Sequence, residues 1–115
     1  MVYMAQSVAL AVLENLVHMS RQDFPTGYVC ILAMVSDDIA VLSEADLRAD
    51  GNLRDVSTRA LGDAWLDIQP SAVLRVHSAV VPEEWNYLVN PRHPDFGRIV
   101  ARPPEPFVFD DRLFR

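Results

Sequence analysis

Six of the eight prolines in this 115-residue chain lie from Pro82 onward: Pro82, Pro91, Pro94, Pro103, Pro104 and Pro106. Proline has no backbone N–H, so it interrupts helices and removes a ladder donor from a sheet. The last third of the chain is therefore barred from long helices and long central strands. It reads instead as short extended pieces, Tyr87-Leu88-Val89, Ile99-Val100 and Phe107-Val108-Phe109, expected at sheet edges or strand ends.

Upstream the pattern is different. After a short apolar stretch, Met1 to Met4, the residues Ala9, Val12, Leu13, Leu16 and Val17 recur at helical spacing between Val8 and Met19, with Ser7 placed to cap the first turn. Tyr28 to Val35 is an apolar run of strand length, predicted to be buried. Asp37-Asp38 make a turn before a short strand at Ile39–Leu42. Ser43 to Leu47 suit one helical turn, closed near Asp50-Gly51-Asn52. A second helix is expected from about Val56 to Ile68, stopped by Pro70. Ala72 to His77 then alternate as a strand, with Ala72, Leu74 and Val76 on one face. The fold class is α+β: two helices packed on a mixed, mostly antiparallel sheet, in one domain spanning 1–115.

Composition narrows the function. Half the residues are hydrophobic and 23% are charged, as in an ordinary globular domain. A net charge of −6 is the wrong sign for gripping phosphate backbones, so direct nucleic-acid binding is not expected. The single cysteine, Cys30, allows no internal disulfide and is expected in the core. With no long apolar span and no basic secretion signal at the start, the expected location is the cytoplasm, away from membranes. The three histidines are scattered, so no metal site is expected.

Few residues invite chemistry on spacing alone. Glu14 lies inside the apolar helix with His18 one turn later, so the two share a face as either a solvated pair or a semi-buried carboxylate. Ser78 ends a strand, where serine commonly caps or turns the chain. Trp65 and Trp85 suit a core or a groove wall.

Four blocks, in order, carry a resemblance. Val2-Tyr3-Met4 leads into a helix containing Leu13-Glu14 and His18. Then come Leu61-Gly62-Asp63-Ala64-Trp65-Leu66, and Val73-Leu74-Arg75-Val76-His77-Ser78-Ala79-Val80-Val81-Pro82. The last is Asn86-Tyr87-Leu88-Val89-Asn90-Pro91-Arg92-His93-Pro94-Asp95-Phe96. Together they resemble the RES-domain family, named for an arginine, a glutamate and a serine. Glu14 matches the glutamate, Ser78 the serine and Tyr3 a tyrosine of the same site. The family's arginine lies ahead of that tyrosine, in a glycine-glycine-arginine-tryptophan-asparagine run, and this chain starts at the tyrosine. The chain is thus expected to be the carboxy-terminal two-thirds or more of the domain. His77 stands where the family usually has proline.

The resemblance implies an ADP-ribosyltransferase-like mixed sheet with packed helices, truncated at the amino terminus. It implies a toxin of a type II toxin–antitoxin pair that breaks the nicotinamide–ribose bond of NAD. Phosphorolysis, hydrolysis and ADP-ribosyl transfer to a protein all stay open, and NAD is substrate rather than resident cofactor, with inorganic phosphate a co-substrate in the first case. On this reading Glu14 and Ser78 are catalytic, while Tyr3 and Asn90 contact the dinucleotide. The implied partner is a helix-turn-helix antitoxin of the Xre type. The competing reading is an inactive remnant that only binds the antitoxin. A truncated sheet would leave an exposed edge near Val2-Tyr3 or along Tyr28–Val35.

Overall fold

A computed structural model of the chain describes residues 1–19 and 25–114. Its centre is a four-stranded sheet in the order β1-β6-β5-β4, where β1 is Val2–Ala5, β4 is Val41–Ser43, β5 is Val73–His77 and β6 is Trp85–Val89. β1 and β6 are antiparallel, as are β6 and β5, while β4 runs parallel to β5. Among the described residues the architecture is α+β with a mixed sheet and three α-helices.

Serine hydroxyls set where the helices begin. Ser7 Oγ accepts from Leu10 N at 3.1 Å and starts α1, Val8–Leu16. Ser43 and Asp46 form a reciprocal capping box that starts α2, Glu44–Arg48. Ser57 accepts from Ala60 N and starts α3, Thr58–Ile68. Each cap satisfies an amide that has no partner within the helix, worth ~1 kcal/mol. α3 ends at Gln69, which takes the left-handed conformation (φ 58°) just before Pro70.

Two cores flank the sheet. On one face Leu74 and Leu88 pack with Leu47 of α2 and Leu61 and Trp65 of α3. Trp65 is fully buried, and its indole N–H reaches Ser71 Oγ at 3.0 Å, so its one polar atom is satisfied. On the other face Val73 and Val89 pack with Ile39, Met4 and Val35.

Three sequence expectations change here. Tyr28 to Val35 is not one buried strand. It splits into β2, Tyr28–Cys30, and β3, Ala33–Met34, and Val29, Ile31, Leu32 and Met34 are each more than half exposed. The reason lies in their partners: β3 pairs with β7, Val100–Ala101, and β2 with β8, Glu105–Phe107. Pro103 and Pro104 separate β7 from β8, so no continuous ladder can form opposite the run. Cys30 is accordingly half-buried rather than core. Thirdly, the stretch around Tyr87–Val89 is no edge: β6 lies between β1 and β5, with Pro82 and Pro91 just outside its ends. Among the described residues β1 is the terminal strand of the sheet, as expected of an edge at Val2-Tyr3.

Candidate active site

Glu14 sits on α1, one turn after the buried Leu10. Its carboxylate is held by two donors from far along the chain, one just after β5 and one within β6. Ser78 Oγ donates at 2.5 Å and Asn86 Nδ2 at 2.8 Å, both to Glu14 Oε1. Among the described residues Oε2 accepts no hydrogen bond. One carboxylate oxygen is thus anchored, and as far as the described residues go the other is left for a ligand.

Ser78 is fixed by a turn. Its oxygen accepts from the backbone N–H groups of Val80 and Val81 at 3.1 and 3.0 Å, and its own N–H donates to Glu84 O at 2.9 Å. A hydroxyl has one proton and two lone pairs. With both lone pairs engaged by amides, the proton is left to point at Glu14. Ser78 is only 2% exposed and lines neither of the cavities beside it. Its geometry is that of a group acting through the carboxylate.

Asn86 was not singled out from sequence. It stands opposite Val76 in the β5–β6 register, on the sheet face that also carries Leu74 and Leu88. Only that register brings it beside Ser78, and a one-residue slip would turn it to the other face. Gln6 is a second missed residue. Its backbone N–H donates to Trp85 O, its Oε1 accepts from Trp85 N at 2.8 Å, and its Nε2 donates to Glu84 Oε1. It ties the β1–α1 junction to the start of β6 and so fixes where α1 presents Glu14.

The hydrogen bond from Ser78, then that from Asn86, hold the Glu14 carboxyl below its ordinary value; partial burial opposes them and the charge of His18 adds a little. Glu14 is therefore an anion at neutral pH. It faces a cleft of about 640 Å³ lined by Tyr3, Glu14, His18, His77 and Asn86, among others. Tyr3 is 69% exposed, so its ring is free to meet a ligand. His18 lies just past the end of α1, with its N–H on Asn15 O.

His77 forms part of the wall. Its Nδ1 is 2.8 Å from Pro82 O, which can only accept, so Nδ1 carries the proton, and among the described residues Nε2 has no hydrogen-bond partner. The imidazole stacks on Trp85 with centroids 4.0 Å apart, and the Arg75 guanidinium also lies over that indole, at 4.2 Å.

Tyr3, Glu14 and His18 thus meet along one cleft, with Ser78 behind the carboxylate. Asn90 is elsewhere. It is 1% exposed at the far end of β6, with Nδ2 on Leu66 O and Oδ1 accepting from Arg92 N. Its amide ties the turn after β6 to α3, and it lines neither cavity. No group of three or more metal-ligating side chains occurs among the described residues, and none of their helices is long and apolar enough to cross a membrane.

An α+β domain with one anchored, ionised carboxylate on an open cleft is a recognisable class of site, and comparison with known proteins gives it a family. Residues 1–110 match the RES domain, and the chain belongs to that family. It is similar to the Prs ADP-ribosylating toxin of Sphingobium sp., with 37% identity over 122 residues covering 99% of this chain and 74% of the relative. It is also similar to the Toxin Res of Pseudomonas putida, 36% identical, covering 98% of this chain and 79% of the relative. A Toxin Res of Yersinia enterocolitica is 34% identical, covering 97% and 76%.

Proposed function

We propose that the chain is a RES toxin of a toxin–antitoxin pair, acting in the cytoplasm, in which Glu14 directs cleavage of the nicotinamide–ribose bond of NAD. The observation that carries this is the Glu14 carboxylate, ionised, anchored through one oxygen and part of the cleft lining. Breaking an N-glycosidic bond builds positive charge on the ribose carbon, and a fixed anion stabilises that charge without reorganising. Glu14 Oε2 would hold a ribose hydroxyl and face the developing cation. Tyr3 would stack on a ring of the dinucleotide. Ser78 and Asn86 would act through Glu14, keeping it charged and aimed. The names of the relatives, toxins in each case and an ADP-ribosylating toxin in one, support the same reading.

The test is nicotinamide release from NAD, with and without inorganic phosphate, by the wild type and by Glu14→Gln. Release that needs Glu14 supports the proposal, and its dependence on phosphate separates phosphorolysis from hydrolysis. Release no greater than that of Glu14→Gln would overturn the enzymatic reading. One observation favours the alternative of a module that only binds a helix-turn-helix antitoxin. All ten cationic residues of the chain are arginine, yet among the described residues no arginine lines either cavity beside Glu14. A dinucleotide's pyrophosphate is ordinarily gripped by such a side chain. Co-purification with the antitoxin by a chain that leaves NAD intact would select that alternative.

A further inference from the structure

One turn, the segment after β5, serves two side chains at the wall of the cleft. It is closed by Ser78 N–H on Glu84 O and by Glu84 N–H on Val81 O, both at 2.9 Å. Closed in this way, it seats Ser78 against Glu14 Oε1 and presents the Pro82 carbonyl to His77 Nδ1. His77 is the last residue of β5 and lines the same cleft as Glu14. A carboxylate and an imidazole are therefore both held at the cleft by contacts to a single turn.

The imidazole is fixed in orientation as well as place. Its Nδ1 proton is committed to Pro82 O, and in the neutral ring this leaves the Nε2 lone pair as an acceptor. Its face lies 25° from parallel on the Trp85 indole, its direct partner across the β5–β6 ladder. Trp85 is tied in turn by Gln6, which engages both its backbone N–H and its C=O. Turning the ring over, which would exchange the two nitrogens, breaks the bond to Pro82. Yet the side chain is exposed, and among the described residues nothing occupies Nε2. An imidazole with one nitrogen held by an acceptor and the other open to a cleft is the arrangement of a proton acceptor. His18 also lines the cleft, but among the described residues no hydrogen bond fixes its ring.

We propose that His77 is a further catalytic residue of this cleft: the base that takes the proton of an attacking water. This role rests on the reading that Glu14 directs cleavage of NAD, and it selects water as the acceptor of the ADP-ribose. The nicotinamide–ribose bond breaks with its electron pair going to the nicotinamide nitrogen. The water oxygen bonds to the ribose carbon, and its proton passes to Nε2 and then to solvent. An anion such as phosphate attacks with a lone pair it already holds and gains little from a base. Water is neutral and gains a great deal. A positioned base thus sorts nucleophiles by charge.

The experiment follows the products that the full chain forms from NAD in water containing azide, an anionic nucleophile. In the wild type ADP-ribose should form through His77. His77→Ala should slow its formation on the order of a hundredfold and the ADP-ribosyl azide by much less, raising the azide-to-water product ratio at least tenfold. Added imidazole should restore ADP-ribose formation in that variant. His77→Asn keeps a donor for Pro82 O but lacks Nε2, and should match alanine; it decides the point should alanine fail to fold. Nitrogen NMR of the wild type should find the His77 proton on Nδ1. A merely structural role lowers both products together, so an unmoved ratio overturns the proposal. So does a variant that neither takes azide nor responds to imidazole, a proton found on Nε2, or a shift produced by His18→Ala in place of His77→Ala. Wild-type protein that releases no nicotinamide overturns the NAD reading itself, and this role with it.

Discussion

Two apolar strand regions of this molecule have opposite fates. Val73, Leu74 and Val89 of β5 and β6 are 0–2% exposed, while Val29, Ile31 and Leu32 around β2 are 53–55% exposed. The side chains are of one kind; what differs is what stands opposite them. β5 and β6 pair over five residues, are flanked by β4 and β1, and meet helices on one face and the Val35–Ile39 segment on the other. β2 and β3 meet only short strands separated by Pro103 and Pro104. Hydrophobicity thus marks what can be buried, and the partners decide whether it is. The candidate site takes its fixed donors, Ser78 and Asn86, from the well-packed side, and no residue of β2 or β3 lines its cleft.

The largest contrast should come from truncating one residue in each region. Leu74→Ala should lower stability by about 3–4 kcal/mol, read from the denaturant midpoint at unchanged slope, since it leaves a cavity in a packed core. Ile31→Ala should change it by less than ~0.5 kcal/mol. Equal losses would break the comparison. Next in size is Ser78→Ala, expected to cost about 2–3 kcal/mol, because it removes a bond to a charged carboxylate and an acceptor for two amides. Asn86→Ala should cost about 1–2 kcal/mol by the same unfolding measurement, as it removes one donor.

A pH series sharpens the Ser78 result. Glu14 titrates below its ordinary value near 4.5 in the folded chain, so its hydrogen bonds contribute stability above that pH and lose it as pH falls through the folded value. The stability gap between the wild type and Ser78→Ala should therefore be full at neutral pH and narrow on acidification below about 4.5. A gap that is constant with pH would mean that Ser78 stabilises only its own turn.

Local chemistry was the legible part of the fold. Ser7 caps α1, Ser43 starts α2 and Pro70 follows the end of α3, each through contacts within a few residues. The fate of Tyr28–Val35 was not legible, because its burial depends on the distant segments around Val100–Ala101 and Glu105–Phe107. At the site, Glu14 and Ser78 carried family motifs, and the Glu14–His18 face followed from helical spacing. Asn86 and Gln6 needed the β5–β6 and β1–β6 registers, which no local pattern encodes. Asn90 shows the converse. It lies in a motif block, yet its side chain is buried and bonded to the turn and α3, away from the Glu14 cleft.

The central claim is that Ser78 and Asn86 hold an ionised Glu14 over the cleft, and titration of the Glu14 carboxyl carbon by NMR tests it most directly. The account predicts a midpoint below the ordinary glutamate value in the wild type, moving upward in Ser78→Ala and again in the double variant with Asn86→Ala. A wild-type midpoint at or above the ordinary value, or one that Ser78→Ala leaves in place, would contradict it.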